Sequence, residues 1–494
     1  MATNRTMTSL QGEPLLALLR RDFIGLDTSY RVADGRTRRR VYLDTAATSL
    51  MLSLAHQTAT TFLRHNANVH SRIHFSARVA TEACAFARER VLSFVGADPE
   101  KYVCLFIGSG ATGAVNRAAY YLRGYRPGAS TVLVSLMEHH SNDLPHRRLG
   151  QVRHIPLLGT TPALSAIDVD AFNELLRAEP IRYAAVTMVS NVTGIVNPIA
   201  RLSAAAHEQQ VPILVDASQA IAHLPVSMGA IGEPDALVFS GHKIYAPGSP
   251  GVLIIRREIV EAVGPAELGG GMVGEVTTRD FTLATELAQR EEAGTPNVLG
   301  AVTLSAALEV LGRIGMETIA EHERALTQDL LEELLSVPGL RVYGSTDLAR
   351  WPRAGVVSFN LGDLDHGFVT SILNDYYNIA VRNQCFCAQP YAQTLLAPEL
   401  WDLDVPDDPG EAELQVGRRR GMVRASLAMY STPEDIAMLG LALREIQANA
   451  HRYRRRYRID DRGDYCHARF APSDLFDIPT TVDGFLRRAA VGTR

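Results

Sequence analysis

The sequence predicts an α/β fold in two domains, a large one with a mainly parallel sheet and a smaller α+β one. The chain has 494 residues, more than one hydrophobic core usually serves. Short apolar segments alternate with helical patterns through its middle, as in βαβ units, whose strands form a parallel sheet with helices on both faces. After residue 297 this alternation ends and a long helical stretch begins. The change indicates a second domain.

The predicted strands of the large domain are short, nearly uninterrupted apolar runs, which is typical of strands buried on both faces. Helical patterns at 167–178 and 198–210 lie between some of them. Ligands of such sheets bind where the parallel strands end, so the residues that follow each run are the first candidates for a site. The predicted strands are 102–107, 130–135, 183–189, 212–216, 236–240 and 252–256.

Changes of pattern divide the rest of the chain. The helical stretch 298–336 opens the smaller domain, and a segment at 406–420 with acidic, proline and arginine clusters is expected to be a loop. The other elements predicted there are strands at 356–360, 379–382 and 421–427 and helices at 368–377 and 433–448. Four parts result: a segment at 1–40 that begins with a short amphipathic helix and packs with the smaller domain, a large domain at 41–297, a smaller domain at 298–450 and an extension at 451–494.

The composition argues against nucleic acid or a membrane as the main partner. The net charge is −5, with 46% hydrophobic and 21% charged residues, as in an ordinary globular protein. No apolar run approaches the roughly 20 residues that span a bilayer, and the N-terminus lacks the layout of a secretion signal. The five cysteines, an odd number in a long chain, fit a reducing compartment better than a disulfide framework. We therefore expect a cytoplasmic location.

Lysine is rare in this chain, which draws attention to the two that occur. Of the 49 basic residues only Lys101 and Lys243 are lysines. An amine can lose its proton and form an imine, whereas a guanidinium effectively cannot. Lys101 has the surroundings of a solvated surface residue. Lys243 ends a predicted strand and tight turn, where an amine in a partly dry site could capture an aldehyde, although a loop lysine is the ordinary reading.

Polar residues that follow the other predicted strands suit a coenzyme with a pyridine ring and a phosphate. Asp216 at a strand end could keep a pyridine nitrogen protonated, and Gln219 could bond the ring's phenolic oxygen, although a helix cap is the common role of such an aspartate. The turn Gly108–Gly113 with Thr112 could bind a phosphate through helix N-terminal amides, or be a plain turn. His139 could stack on a pyridine ring, or lie in a surface turn.

Two motifs in the C-terminal half contain residues that could act on or bind a substrate. Cys385 and Cys387 form a C-x-C pattern, but no second Cys or His cluster completes a zinc set, so no metal is expected. Cys387 could instead be a nucleophile, while a buried filler is the plain interpretation of Cys385. Arg424 begins an apolar strand, where a substrate carboxylate or a structural ion pair would satisfy it.

In combination these motifs resemble the class V (fold-type I) PLP-dependent aminotransferase superfamily, and most of all its cysteine desulfurase and selenocysteine lyase branch. The resemblance runs from about residue 42 to 448. It implies a large domain with a seven-stranded, mainly parallel sheet, pyridoxal 5′-phosphate (PLP) as cofactor, and a homodimer with active sites shared between subunits. The motifs, in the family's order, are YLDTAAT, SGATGAVN, MEHHSN, SNVTGIVNPI, VDASQA, FSGHKIYAPGSPGVL, EAGTPN, VR…CAQP and VRASLAMYST.

The resemblance also implies a role for each matching residue. As catalytic residues, Lys243 would hold PLP as a Schiff base and move the substrate proton, His139 would stack on the ring, and Cys387 would attack the substrate sulfur and carry it away as a persulfide. The substrate would be bound by Arg424, the main carboxylate anchor, with Arg382, Asn191 and His74. The implied cofactor-binding residues are Gly110, Ala111, Thr112, His139, Asn191, Asp216, Gln219, Ser240, His242, Lys243 and, from the neighbouring subunit, Thr295.

Three departures from the family pattern bear on the substrate. Cys385 and Phe386 stand where sulfur-mobilising members carry two histidines, which is closer to molybdenum-cofactor sulfurase-like members. Gly113 replaces the acidic residue usual after the threonine. The tail from about His451 has no counterpart in ordinary desulfurases, and we expect it to cover the active-site mouth and alter substrate choice.

The leading hypothesis is an enzyme that cleaves the C–S bond of L-cysteine or an S-substituted cysteine, either by attack of Cys387 or by β-elimination. One alternative is a specialised-metabolism enzyme that performs β-elimination, decarboxylative deamination or transamination on a larger cysteine conjugate. Another is a non-catalytic sulfur-relay scaffold. Such a scaffold would be expected to lack the lysine or the phosphate turn, and this chain keeps both.

Overall fold

The computed structural model describes residues 10–69, 71, 73–401, 421–472 and 475–491. The loop predicted at 406–420 lies outside these residues. The predicted N-terminal helix is confirmed within its described part as Gly12–Leu19.

A seven-stranded sheet forms the centre of the large part of the molecule, and it confirms the predicted α/β class. Six of its strands run parallel, and Gly251–Arg256 is antiparallel to both of its neighbours. Most strand residues are fully buried because helices cover both faces. From one edge to the other the strands are Tyr102–Ile107, Gly251–Arg256, Ala236–Ser240, Ile213–Asp216, Ile181–Thr187, Thr131–Ser135 and Gln151–Ile155.

All six strands predicted for this sheet are present, with ends shifted by at most two residues. The strand Gln151–Ile155 was not predicted. It lies at the edge of the sheet, where polar and apolar residues alternate and only Ile155 is fully buried. Because three of its five residues are polar or charged, it has no continuous apolar run to reveal it.

Helices pack on the two faces of this sheet and at its ends. One hydrophobic cluster, with Leu105, Ala118 and Val134, lies on one face, and a larger cluster, with Phe172, Phe239 and Leu304, lies on the other. The helices are Ser53–Phe62, Phe75–Phe94, Gly110–Tyr125, Leu144–Leu149, Val169–Ala178, Ile199–Glu208, Arg257–Val263, Leu287–Glu291 and Val298–Ile314.

A four-stranded antiparallel sheet organises the smaller part and has its own hydrophobic cluster, with Leu330, Phe359 and Leu443. Its strands, in spatial order, are Leu340–Val342, Val356–Leu361, Met422–Ser426 and Arg382–Gln384. The strand predicted at 379–382 is divided, because Ile379–Ala380 pairs instead with Val41–Tyr42. The helices of this part are Met316–Leu335, His366–Tyr377 and Pro433–Arg454, while the helix Gln389–Trp401 buries Tyr391 and Leu395 in the larger cluster.

The long helical stretch predicted at 298–336 is two helices, Val298–Ile314 and Met316–Leu335, bent by 80°. The break is at Gly315, whose φ of +88° is unfavourable for residues with a side chain. The first helix buries Leu304, Leu308 and Leu311 in the larger cluster of the seven-stranded sheet. The first helix therefore packs on the seven-stranded sheet, and the boundary predicted at residue 298 stays a prediction.

The N-terminal segment packs with both parts rather than with the smaller one alone. Leu16, Leu19 and Phe23 are buried in the larger cluster of the seven-stranded sheet. Further along, Arg39 forms an ion pair of 2.7 Å with Asp435 of the smaller part. The segment therefore joins the two parts.

The tail after the last long helix forms a hairpin, Tyr457–Ile459 with Tyr465–His467, followed by the exposed helix Ile478–Val491. The hairpin lies on the helix His366–Tyr377, where the Tyr457 hydroxyl donates to Asp375 at 2.9 Å and Tyr376 bonds His467 at 2.9 Å. No described tail residue lines the cavity presented below. The expected placement of the tail over the active-site mouth therefore stays a prediction.

In the described residues no single helix is long and apolar enough to cross a membrane. Taken together, the two helices of one bent pair, Val298–Ile314 and Met316–Leu335, are long and apolar enough to do so by length and composition only.

Candidate active site

A cavity of about 430 Å³ lies where the parallel strands end and faces the smaller part of the molecule. Most wall segments follow strands of the seven-stranded sheet, as expected for an open α/β sheet, and Arg382 and Arg424 come from strands of the smaller sheet. Thirteen of the fifteen residues predicted for the site line it. They are Gly110, Ala111, Thr112, His139, Asn191, Asp216, Gln219, Ser240, His242, Lys243, Arg382, Cys387 and Arg424.

Lys243 ends the 3-10 turn Gly241–Lys243, which directly follows the strand Ala236–Ser240. Hydrogen bonds from a distant segment of the chain stabilise this turn. The Ser49 N–H and the Ser49 hydroxyl both donate to the His242 carbonyl at 3.0 Å. Burial lowers the pKa of Lys243 to about 8, although the charge of Asp216 acts in the opposite direction. A larger fraction of this amine is therefore neutral near pH 7 than of an ordinary lysine.

The lowered pKa of Lys243 leads to a prediction for the cofactor-free protein. Only the neutral amine attacks an aldehyde, so the rate of PLP capture should rise with pH and reach half its maximum near pH 8. Stopped-flow absorbance measurements give this pH profile. The Lys243→Ala variant measures the background rate at which Lys101 captures PLP, and that rate is subtracted. Half-maximal capture above about pH 10, as for a solvated lysine, would show that the site does not activate the amine.

His139 is placed to act as a neutral ring beside the lysine. Burial, with a smaller effect of the Lys243 charge, lowers the pKa of His139 to about 3. Its Nδ1 accepts a hydrogen bond from the Ser141 N–H at 3.0 Å. The imidazole therefore stays uncharged at physiological pH, which suits stacking on an aromatic ring.

The turn before the helix Gly110–Tyr125 is shaped to approach an anion closely. Gly110 has a φ of +59°, and a Cβ at this position would stand 2.8 Å from the Ser240 hydroxyl oxygen. That oxygen accepts from the Ala111 N–H at 2.6 Å, and the Thr112 hydroxyl lies 2.7 Å from that of Ser141. Amides and hydroxyls converging at a helix N-terminus form a phosphate site.

Buried polar atoms without partners indicate that this cavity fits a ligand such as PLP. The Ser218 hydroxyl and Arg424 Nε are buried and make no hydrogen bond within the described residues. Both residues line the cavity. Unsatisfied buried polar atoms are rare in folded proteins, and here a polar coenzyme and a substrate would satisfy them. Lys243, Asp216, His139 and the turn at Gly110 complete the set that a phosphorylated pyridine aldehyde requires.

The segment around Cys387 is fixed against the large part of the molecule. The Asn191 side chain donates to the Phe386 carbonyl at 2.7 Å, and the His140 N–H donates to the Cys387 carbonyl at 2.6 Å. Phe386 and Cys387 have φ values of +54° and +55°, a conformation that costs about 1–2 kcal/mol per residue. Such strain is retained where it positions a functional group, and here it turns the exposed Cys387 into the cavity.

Arg424 is buried and forms the structural ion pair that was one of the two interactions expected from its sequence context. Its Nη2 pairs with Asp44 at 3.2 Å and its Nη1 donates to the Asn191 carbonyl at 2.9 Å. Its guanidinium also lies over the Phe386 ring, 4.7 Å from the centroid. A structural ion pair is thus present, while Nε stays available for a carboxylate.

Two predicted residues lie outside the cavity. His74 caps the helix Phe75–Phe94, where its Nδ1 accepts from the Ala77 N–H at 3.2 Å. Thr295 lines a neighbouring cavity of about 690 Å³. Because Thr295 is expected to act from the neighbouring subunit, its role stays a prediction.

Four residues that sequence reasoning did not assign take part in the site. Ser218 stands beside the assigned Gln219 in the motif VDASQA, and Asp44, the partner of Arg424, lies in the quoted motif YLDTAAT, so the motifs themselves carried a signal. His140 accepts from the Gln389 N–H at 3.1 Å and so helps to hold the cysteine segment. Glu138 is buried beneath the site, accepts from the Asn142 side chain at 2.7 Å, and has its pKa raised to about 8 by burial.

Comparison with known proteins identifies the relatives of this chain. The aminotransferase class-V family model matches residues 41–439. A cysteine desulfurase of Klebsiella pneumoniae is 35% identical over 412 residues, which cover 82% of this chain and 93% of that protein. One from Escherichia coli is 34% identical over 420 residues, with the same shares covered.

Solved structures agree with these sequence matches. The apo structure of a cysteine desulfurase from Thermococcus onnurineus has a TM-score of 0.72 at 29% identity and covers 83% of this chain and 94% of its own. The cysteine desulfurase CsdA from Escherichia coli, as an S-sulfonic acid, has a TM-score of 0.70 at 30% identity and covers 87% and 98%. The likeness therefore extends over the seven-stranded sheet and the smaller sheet, and the family match ends before the tail hairpin.

Proposed function

The chain belongs to the aminotransferase class-V family, and from this premise we propose that it is a PLP-dependent enzyme that cleaves the C–S bond of L-cysteine or an S-substituted cysteine. The observation that carries the proposal is the presence of an amine, a thiol and a carboxylate anchor, Lys243, Cys387 and Arg424, in one cavity. The relatives named above, cysteine desulfurases, support the same substrate class.

Each side chain has a defined task in this reaction. When bound, PLP supplies an aldehyde that joins the substrate amine and a ring that withdraws electrons from the substrate Cα. Arg424 would bind the substrate carboxylate, and the Lys243 amine would take the Cα proton. Asp216 would keep the ring nitrogen protonated, and Ser240, Thr112 and the amides after Gly110 would hold the phosphate.

Cys387 is proposed as the sulfur acceptor. Its thiolate attacks the sulfur of free cysteine, an S–S bond forms as the C–S bond breaks, and the electron pair returns to the substrate Cβ. After protonation the products are alanine and a persulfide on Cys387. From an S-substituted cysteine the thiol could instead leave by β-elimination, which needs no attack by Cys387.

Replacement of Cys387 by serine tests the proposal. We expect Cys387→Ser to reduce persulfide formation from cysteine by at least about a hundredfold, since a hydroxyl is a far weaker nucleophile. Cys385→Ser is the matched control, two residues away and outside the cavity lining. Sulfide and alanine are assayed together in both variants.

Three results are informative. Loss of activity in Cys387→Ser alone supports persulfide transfer. Full activity in that variant removes Cys387 from the mechanism and favours β-elimination. If the wild type consumes neither cysteine nor any S-substituted cysteine, the proposed function is wrong.

A homodimer in the cytoplasm is proposed as the working form. The cavity beside Thr295 lies next to the phosphate turn and shares Ser109 and Thr112 with the active-site lining, so a neighbouring subunit there would border the active site. The five cysteines are all free, which fits a reducing compartment. No described residue of the tail hairpin lines the cavity, so the hairpin itself gives no support for a larger cysteine conjugate as substrate.

A further inference from the structure

The carboxyl group of Glu138 is buried between two segments that line the cavity, and only 2% of this residue is accessible. Its Oε1 accepts from the Thr187 N–H at 2.7 Å and forms a hydrogen bond with the Ser135 hydroxyl. Its Oε2 accepts from the Asn142 side chain at 2.7 Å. Ser135 and Thr187 end adjacent strands of the seven-stranded sheet, so this carboxyl group ties two strand ends to the turn that follows.

These hydrogen bonds lead to the two residues proposed to contact the coenzyme ring. Thr187 lines the cavity and is paired in register with Asp216 on the next strand. Asn142 ends the 3-10 turn that directly follows His139, and its N–H donates to the His139 carbonyl at 2.8 Å. Glu138 therefore joins the segment that carries the stacking ring to the strands that carry the partner of the ring nitrogen.

A chain of buried hydrogen bonds ends at Glu138 and has a fixed direction. Burial lowers the pKa of His146 to about 4, so its ring is neutral and carries one N–H. Because the Asn142 amide donates to Glu138, its oxygen faces His146 Nε2 at 3.3 Å, and this nitrogen carries the proton. His146 Nδ1 then accepts from the Tyr183 hydroxyl at 2.9 Å. Every donor of the chain points toward Glu138, which has to accept.

An acceptor is needed at Glu138 in either protonation state. Burial raises the pKa of its carboxyl group to about 8, so the group can hold a proton near neutral pH, and the Ser135 hydroxyl can accept that proton. The Thr187 N–H and the Asn142 amide each still face an oxygen. A glutamine of the same size would place its amide nitrogen against one of these two donors. Buried donors that face each other lose their hydrogen bonds.

We propose that Glu138 is a positioning residue, whose two carboxyl oxygens hold the turn of His139 and the strand end of Asp216 in place around the coenzyme ring. The inference rests on the proposed function in one respect, namely that PLP binds at Lys243. Glu138 does not line the cavity. It therefore acts through its neighbours and takes no part in the bond-breaking steps.

The test uses the dissociation constant of PLP, measured by titrating the cofactor-free protein and following the absorbance of the lysine-bound coenzyme. Glu138→Gln keeps the size of the side chain and replaces one acceptor by a donor. Glu138→Gln combined with Asn142→Asp restores the hydrogen bond with its direction reversed, because the new carboxylate accepts both from the glutamine and from His146.

Asp235→Asn is the matched control. Asp235 is a buried carboxylate that accepts from the Ile213 N–H at 2.8 Å and so also ties strand ends together, but at the start of the strands and away from the cavity lining. We expect Asp235→Asn to lower the melting temperature and to leave the dissociation constant of PLP unchanged.

We expect Glu138→Gln to raise the dissociation constant of PLP by about tenfold or more, since buried donors are left without acceptors. The cofactor-free variant can relieve the conflict by moving the turn of His139, whereas the bound coenzyme needs this turn in place. The cost therefore appears as weaker binding. The double variant should return the dissociation constant to within about threefold of the wild-type value, as coupled partners do in a double-mutant cycle.

An unchanged dissociation constant in a well-folded Glu138→Gln protein would overturn the inference. Equally weak binding by the double variant would overturn it too, because the loss would then not come from the direction of the hydrogen bond. If Glu138→Gln does not fold, the double variant decides. Near wild-type binding by the double variant supports the inference, whereas weaker binding, or failure of both variants to fold, contradicts it.

The wild-type protein separates this inference from the proposed function. A wild type that binds PLP but acts on neither cysteine nor any S-substituted cysteine would overturn the proposed function and leave the role of Glu138 in place. A wild type that does not bind PLP would overturn both.

Discussion

Lys243→Ala is expected to reduce turnover of cysteine by at least about 10³-fold, because the substitution removes both the imine-forming amine and the base that takes the Cα proton. The amine lies in a cavity with Asp216, His139 and the phosphate turn, and burial lowers its pKa to about 8. The variant should also lose the yellow absorbance of the lysine-bound coenzyme. Turnover and absorbance are measured on the same preparations.

Lys101→Ala provides the control for this change, because it removes the other lysine of the chain. Lys101 is exposed and pairs with Glu233 at 3.1 Å, far from the cavity lining. We expect wild-type turnover and absorbance from it, since exposed ion pairs contribute at most about 1 kcal/mol to stability. Persistent yellow absorbance and activity in Lys243→Ala would contradict the assignment.

Arg424→Gln is expected to lower kcat/KM for cysteine by at least about a hundredfold, mainly through a higher KM. The substitution removes the charge that binds the carboxylate and leaves Asp44 without its partner, and truncating one member of a buried charge pair costs about 2–5 kcal/mol. Burial lowers the pKa of Arg424 to about 10 in spite of Asp44, so the guanidinium remains charged at neutral pH. Steady-state kinetics with cysteine give the result directly.

Arg353→Gln is the control that distinguishes loss of substrate binding from loss of folding stability in Arg424→Gln. Arg353 is equally buried, with a pKa also lowered to about 10 by burial, but it donates to the backbone carbonyls of Thr193, Ser345 and Tyr343 and does not line the cavity. We expect it to lower the melting temperature with little change in KM. A similar rise of KM in both variants would show that Arg424 acts only through the stability of the fold.

The sequence predicts the central sheet well because its strands are buried on both faces. Continuous apolar runs identified six strands, whereas the edge strand Gln151–Ile155 has alternating polar residues and escaped notice. The break between Val298–Ile314 and Met316–Leu335 was also missed, since one glycine inside a helical pattern can be tolerated or can end the helix. Only the packing of Leu304 into the larger cluster shows to which part the first helix belongs.

Asp216, His139 and Lys243 could be predicted as site residues, because they follow strands whose ends meet at one edge of the sheet. Asn191 and Arg382 were predicted only through the resemblance to the family. Contacts between segments far apart in the sequence could not be predicted. The pairing of Arg424 with Asp44 joins residues 380 positions apart, and the hydrogen bond between the Gln389 N–H and His140 joins residues 249 positions apart. No local pattern records such contacts, and the same holds for the docking of the tail on the helix His366–Tyr377.

The covalent attachment of the coenzyme can be measured directly. The PLP-loaded protein is reduced with borohydride, digested and analysed by mass spectrometry, and the account predicts the pyridoxyl phosphate adduct on the peptide that contains Lys243 and none on the peptide with Lys101. An adduct on Lys101 alone, or no adduct after the coenzyme has been supplied in excess, would contradict the account at its centre.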